Sequence, residues 1–333
     1  MTVRAKNLSL AACIVFSAAV LFIAPLLGME AFSPALFFER SQNLDSQILW
    51  KLRIPRVFLA FLAGAGLSVC GMAFQALFRN PLADPSTLGV SSGASVGAVL
   101  FIFTGLMSTP FGVPGISLFA FLGALGSILF VYGITRVARV EMGSTMLLAG
   151  VAVSLFFSSI IMFVQHLSDY SDSFHILHWL MGGVDTSGFT DVLTVLPFVA
   201  AGGLAVLLLT RELNLIAMGD EIALSRGVNV SRTQKQLFFA TSLTVGGIVS
   251  VCGPIGFVGI MVPHICRLWI GSDHRYLTAF SLLFGGAFLV LCDLFARSVI
   301  APAEIPVGVI TALLGGPFFI WLLVFRFFEG RVA

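Results

Sequence analysis

The chain is predicted to be an all-α membrane protein of about ten transmembrane helices, with both termini in the cytoplasm. Three observations predict this: 58% of its residues are hydrophobic and only 10% charged, its mean hydropathy is +1.03, and its apolar residues gather in long runs. A soluble domain carries about 25% charged residues, so this chain lacks the polar groups that would cover a water-facing surface. At roughly 20 apolar residues per crossing, its 333 residues leave room for the spans and their connections.

Apolar runs bounded by charges or Pro/Gly turns fall at 8–28, 57–78, 87–106, 116–135, 144–165, 191–209, 236–252, 255–270, 277–297 and 305–326. The first follows Arg4 and Lys6, as a signal peptide would. It is longer than a signal core and no small-x-small cleavage site follows, so it reads as an uncleaved span. Gly253 and Pro254 divide 236–270 into two short helices, because one uniform helix of that length would overshoot the bilayer. Residues 174–183 are too few to cross and should lie along the interface, with Trp179 at headgroup depth. Spans 2–5 and 7–10 form two blocks entered from opposite sides, the pattern of an inverted-topology repeat. No linker or low-complexity segment divides the chain, so residues 1–333 read as a single domain with its longest cytoplasmic loop at about 210–236.

Charge orients this map. With the N-terminus inside, 13 of the 18 Lys and Arg fall on the cytoplasmic side, the bias that membrane insertion imposes. Arg53, Arg56 and Arg297 break the rule at the outer ends of their helices, so another force should hold them there. A net charge of +2 without a basic run excludes a nucleic-acid partner. The five cysteines lack paired spacing and read as small core residues rather than a disulfide or zinc framework. No metal site is expected: His175 and His178 are three apart but have no further ligands, and His264 reads as a packed helix-end residue.

Several segments invite a chemical reading. Gly89-Val90-Ser91-Ser92-Gly93 mimics the nucleophile elbow of a serine hydrolase, but an elbow needs a strand-to-helix turn and a His–acid pair. Gly89, Gly93 and Gly97 are instead four apart, which lines one helix face for close packing. An intramembrane serine protease using His264 as base is therefore the weakest alternative. Asp293 and Glu304 are the main acidic groups near the membrane and lie at helix ends. An ion-coupled secondary transporter, the other alternative, needs buried carboxylates deeper than that. The doubly prolyl Asn80-Pro81-Leu82-Ala83-Asp84-Pro85 reads as a stiff turn or a narrow cytoplasmic constriction. In the loop, residues 219–228 read as a short helix exposing Ile222 and Leu224, either a solvated connector or a docking element.

An ordered set of motifs then resembles one family over residues 50 to the C-terminus. Arg53-Ile54-Pro55-Arg56, Asn80 to Pro85, Leu88 to Gly93, Gly256-Phe257-Val258-Gly259, Val262 to Arg267, Asp273-His274-Arg275 and Glu304 to Val309 are similar to the permeases of iron-siderophore, haem and vitamin B12 ABC importers. The resemblance implies a non-catalytic permease in the bacterial inner membrane, paired as a dimer with the path along its interface. It also implies two cytoplasmic ABC ATPase subunits, which carry ATP and Mg, and a periplasmic substrate-binding protein. The lack of a Walker A lysine motif fits that division of labour. By resemblance, Arg53, Arg56 and Arg297 meet glutamates of the binding protein. Gly219, Asp220, Glu221, Ile222, Ala223, Leu224, Ser225, Arg226 and Gly227 form the segment coupled to the ATPase. Asn80, Leu82, Gly143 and Ser144 match cytoplasmic gate positions.

Overall fold

The computed structural model describes residues 2–28, 32–37, 43–106, 114–137, 144–186 and 188–329. Among these residues every regular element is helical. In chain order they are α1 (Val3–Ile23), α2 (Leu44–Ile48), α3 (Ile54–Leu77), α4 (Val90–Phe103), α5 (Gly115–Val137), α6 (Ser144–Leu167) and α7 (Tyr170–Leu180). Then follow α8 (Phe189–Leu208), α9 (Thr210–Met218), α10 (Asp220–Ser225), α11 (Val230–Cys252), α12 (Val258–Ile270), α13 (His274–Ala296) and α14 (Val307–Glu329). Each of the ten apolar runs falls on a helix. Seven helices are long and apolar enough to cross a membrane, and Val90–Phe103, Val258–Ile270 and Val307–Leu322 are shorter apolar helices.

The boundaries differ from the sequence reading in two instructive ways. α11 begins at Val230 and is a full-length helix, so the expected short span 236–252 takes up the polar turn Thr233-Gln234-Lys235. The loop 210–236 is correspondingly mostly helical, through α9, α10 and the start of α11. Upstream of α3, a π-turn at Leu49–Arg53 joins it to α2, so one helical run extends from Leu44 to Leu77. The segment expected along the interface falls on α7, capped by Asp169, whose side chain accepts from the Asp172 amide at 2.9 Å.

α3 is the centre of the molecule. Its inner stretch, Ala63-Gly64-Ala65-Gly66-Leu67-Ser68-Val69-Cys70-Gly71, is wholly buried, and α8, α11, α12 and α13 all pack on it. Small side chains make this possible, because helices in lipid gain most from close backbone approach. Gly71 is the extreme case: a Cβ there would collide with the backbone of Gly259 on α12. The expected glycine face on α4 is also present. Gly93 and Gly97 lie directly against the α5 backbone at Gly123 and Phe119. Gly89 caps α4 with φ +83°, a left-handed value suited to glycine, and its carbonyl accepts from Ser127 Oγ at 2.7 Å.

Two pairings fix the direction of the bundle. α1 runs parallel to α13: Lys6 reaches Asp273 at 3.9 Å, Ser17 donates to the Leu283 carbonyl at 3.1 Å, and Arg297 donates to the Ala24 carbonyl at 2.7 Å. α3 runs antiparallel to α13, with Arg56 beside Asp293 and Met72 Sδ accepting from Thr278 Oγ1 at 3.7 Å. The polar residues therefore gather at two ends, one holding Lys6, Arg79, Asp220 and Asp273, the other Arg53, Arg56, Asp185, Asp293, Arg297 and Glu304. All five cysteines are buried and unbonded, as expected of core residues.

Replacing Gly71 with Ala should destabilise the detergent-solubilised protein by about 1–3 kcal/mol, since backbone cannot swing aside as a side chain can. Gly126, where a Cβ would meet nothing within 4 Å, is the control, and its Ala variant should melt at or above the wild-type temperature.

Candidate functional site

At the polar end that holds Asp293 and Glu304, Arg56 sits on the first turn of α3, after the Ile54-Pro55 start, and organises three carboxylates. Its Nε donates to both oxygens of Asp293 at 3.0 and 3.2 Å, and one terminal nitrogen donates to the same group at 2.9 Å. The other terminal nitrogen donates to Glu304 at 2.7 Å and lies 3.5 Å from Asp185. The two outer partners are about half in solvent, whereas the Asp293 side chain is 1% exposed. A buried carboxylate of this kind needs cations, and Asp293 has two, because Arg297 Nε stands 3.5 Å from it one turn later.

The three expected docking arginines thus have different surroundings. Arg297 is only 7% exposed, and it holds the end of α1 through the Ala24 carbonyl. Arg53 donates to the Pro25 carbonyl at 3.3 Å and lies 3.9 Å above the Phe32 ring. Arg56 keeps an accessible edge beside Glu304 and Asp185. His178 stands 3.9 Å from Asp185 at the same mouth, and no group of three metal-ligating side chains occurs among the described residues. His264 lies on α12 and packs edgewise on Phe318, 5.8 Å between rings.

At the opposite polar end, α3 ends at Phe78 and the chain turns through Arg79 with φ +47°. Arg79 Nε donates to the Ile216 carbonyl at 3.0 Å, and the guanidinium forms an ion pair with Asp220 at the start of α10. This ties the expected coupling segment to the central helix. Ala223 is buried with Ile216 and Val230, while Ile222 and Leu224 point outward at 42% and 59% exposure, beside Met218 at 67%. Glu221 and Asp220 occupy the first turn of α10, and Gly227 follows the helix with φ +80°, donating to the Leu224 carbonyl.

The prolyl turn between α3 and α4 is built around two side chains. Asn80 Oδ1 accepts from the Leu82 amide at 3.0 Å, an Asx-turn that fixes the loop's entry. Asp84 is buried, accepts from Ser86 Oγ at 2.5 Å and lies against the Gly259 backbone. Burial pushes its carboxyl up from 3.8 to about 6, against the lowering effect of the Ser86 hydroxyl and amide. Leu82 is half-buried on the same turn. Of the other gate positions, Gly143 lies outside the described residues, and Ser144 begins α6.

The sequence reading missed the polar staples of this end. Gln75 donates to the Gly259 and Ile260 carbonyls at 3.4 and 3.2 Å and accepts from Arg267 at 2.6 Å, joining α3 to α12. Asn214 accepts from the His274 amide at 2.9 Å and donates to Asp273 at 3.0 Å. Burial would raise Asp273, but Asn214, the Arg275 amide and the nearby Lys6 and Arg275 charges hold it below the ordinary carboxylate range. The available signal was Gln75, an amide within an otherwise apolar run.

Comparison with known proteins places this geometry in context. A family model described as the FecCD transport family matches residues 10–325. The cobalamin import system permease of Halobacterium salinarum is 42% identical over 276 residues, covering 83% of this chain and 73% of that protein. The hemin transport system permease of Yersinia pestis is 37% identical over 305 residues, covering 90% of both. A solved structure described as an inward-facing conformation of a metal-chelate type ABC transporter superposes with a TM-score of 0.86 at 28% identity, covering 96% of this chain and 99% of that one.

Asp84 gives a pH prediction whose sign follows from its raised value. The folded state holds the proton more tightly than the unfolded chain, so this contribution is full below 3.8 and lost as pH rises through about 6. Thermal melts should show Asp84→Asn gaining on wild type between about pH 4 and pH 7. A melting difference independent of pH would remove the buried carboxyl from the account.

Proposed function

The chain belongs to the FecCD transport family, and from that premise we propose how it works as the permease subunit of an ABC importer. Its cargo is a metal chelate or corrinoid: a ferric siderophore, haem or cobalamin. Ferric chelates rank first as the commonest cargo of such permeases. The subunit is non-catalytic and spans the bacterial inner membrane about ten times. Seven long apolar helices and three shorter ones support that count. Both termini are cytoplasmic, a reading supported by α1 running parallel to α13 with Arg4, Lys6 and Arg275 at the shared end. The second span of each four-helix block, α4 and α12, is short and follows an irregular turn, which supports an inverted repeat.

The observation that carries the mechanism is α10, a short helix pinned to the central helix by Arg79–Asp220 and exposing Ile222 and Leu224. In this reading Gly219 to Gly227 sit in a groove on a cytoplasmic ATPase. Two such subunits bind ATP and Mg and drive a permease dimer between outward-open and inward-open states. Asn80, Leu82, Gly143 and Ser144 line the cytoplasmic gate. At the periplasmic face Arg53 and Arg56 receive carboxylates of a binding protein, for which a planar guanidinium is well suited. Arg297 serves the same docking surface from below, by sharing Asp293 with Arg56.

Reconstituted in liposomes with its ATPase and binding protein, the subunit should import chelate only with ATP on the ATPase side. Uptake driven by an ion gradient without ATP would overturn the reading. Arg56→Glu should weaken capture of the binding protein, and more strongly at low salt, where charge steering is least screened. Affinity unchanged at both salt concentrations would remove Arg56 from the docking surface.

A further inference from the structure

The solvent-facing edge of Arg56 is already occupied from within the chain. Its Nε and one terminal nitrogen hold the buried Asp293. The other terminal nitrogen has two N–H donors, and it faces Glu304 Oε2 at 2.7 Å and Asp185 Oδ1 at 3.5 Å. The cavity beside it, lined by Arg56, Asp185, Glu304 and Pro306 among others, measures about 30 Å³, room for one or two waters. A further carboxylate, with the side chain that carries it, does not fit there while both residents stay.

Charge leads to the same conclusion. Arg297 stands 3.5 Å from Asp293, and a Cβ on Gly28 would lie 3.3 Å from the guanidinium groups of both Arg297 and Arg53. Arg53, Arg56 and Arg297 therefore face Asp293, Glu304 and Asp185, three cations against three anions. The cluster has no formal net charge to offer an anionic partner until a resident carboxylate moves off.

The three carboxylates are not held alike. Asp293 lies within α13, 1% exposed, and takes three hydrogen bonds from Arg56. Glu304 lies on the turn between α13 and α14, and Asp185 on the segment joining α7 and α8, with side chains 50% and 64% exposed. Backbone bonds nearby hold both segments: Gly183 donates to the Cys252 carbonyl at 2.8 Å and Ile305 to the Ala296 carbonyl at 3.2 Å. Either carboxylate can thus swing off Arg56 while its segment stays in place. An exposed ion pair of this kind shifts an equilibrium by at most about fivefold, so a partner can outbid it.

Resting on the docking reading given above, we propose that Glu304 and Asp185 are resident competitors for Arg56. A carboxylate of the binding protein docks by taking the place of Glu304 on that terminal nitrogen, and Asp185 adds a smaller obstacle. Asp293 stays bound throughout and keeps the guanidinium aimed. Glu304 and Asp185 then set a threshold: weak or poorly placed anions do not displace them, whereas a carboxylate held on a docked surface does.

The permease–ATPase complex in nanodiscs tests this, with the binding protein that sustains chelate uptake in the reconstituted importer as the probe. Glu304→Gln removes the charge at nearly constant shape and should lower Kd about two- to fivefold. Glu304→Ala, which also removes the acceptor, should do at least as much, and Asp185→Asn should do less. In an Arg56→Gln background Glu304→Gln should change nothing, because the competition runs through Arg56. Weaker or unchanged binding in both Glu304 variants would overturn the proposal, making Glu304 a docking or positioning group or a bystander. So would a gain that persists without Arg56, which would mean general repulsion by the Glu304 charge. The docking reading fails separately, if Arg56→Gln alone leaves affinity unchanged; if Arg56→Gln weakens capture while Glu304→Gln brings no gain, only the competitor role falls.

Discussion

The structure depends on how closely other helices can approach α3. A helix at the centre of a membrane protein satisfies its own backbone, but it gains nothing from water exclusion when lipid is as apolar as its neighbours. What remains is contact between close-packed atoms, and α3 obtains it with Ala, Gly and Ser where its neighbours cross. Gly64 and Gly285 bring α3 against α13, and Gly71 and Gly259 bring it against α12. A larger side chain at any of these crossings would separate the helices and open the core.

The same helix connects the two polar ends. Arg56 near its start and Arg79 just past its end are about 35 Å apart at 1.5 Å per residue. Arg56 gathers Asp293, Glu304 and Asp185, and Arg79 grips the Ile216 carbonyl and Asp220. Arg56 lies on the first turn of α3 and Arg79 just past its end, so each long side chain reaches partners on neighbouring segments. A central, largely buried helix therefore carries the Arg56 carboxylate network at one end and α10 at the other. Neither end would be positioned without the glycine contacts between them.

Much of this was legible in the residues. Apolar runs located every long helix, because lipid imposes a length and a composition on anything that crosses it. The spacing of Gly89, Gly93 and Gly97 predicted a packing face, and α4 lies against α5 through Gly93 and Gly97. Residues 219–228 were readable as a helix with Ile222 and Leu224 outward, since acidic residues open it and Gly227 closes it. Less legible were the staples Gln75, Asn214 and Arg79. Each binds a partner far away in the chain, so no local pattern announces it. The extent of α11 was misjudged for a related reason: Thr233 and Gln234 look like loop residues but are buried on a helix against neighbours the sequence does not order.

By itself the sequence determined that this is a polytopic helical membrane protein with cations biased to one side, because hydropathy and charge are properties of consecutive residues. It also singled out Arg53, Arg56 and Arg297 as helix-end arginines that run against the expected charge bias. Only the tertiary structure decided what holds each of them. Asp293, Glu304 and Asp185 come from three separate stretches, and they meet Arg56 because α3 and α13 run antiparallel. Arg297 is drawn inward because α1 lies parallel to α13 and offers the Ala24 carbonyl. Which charges meet depends on helix direction and spacing, and those are set by close packing across the whole chain.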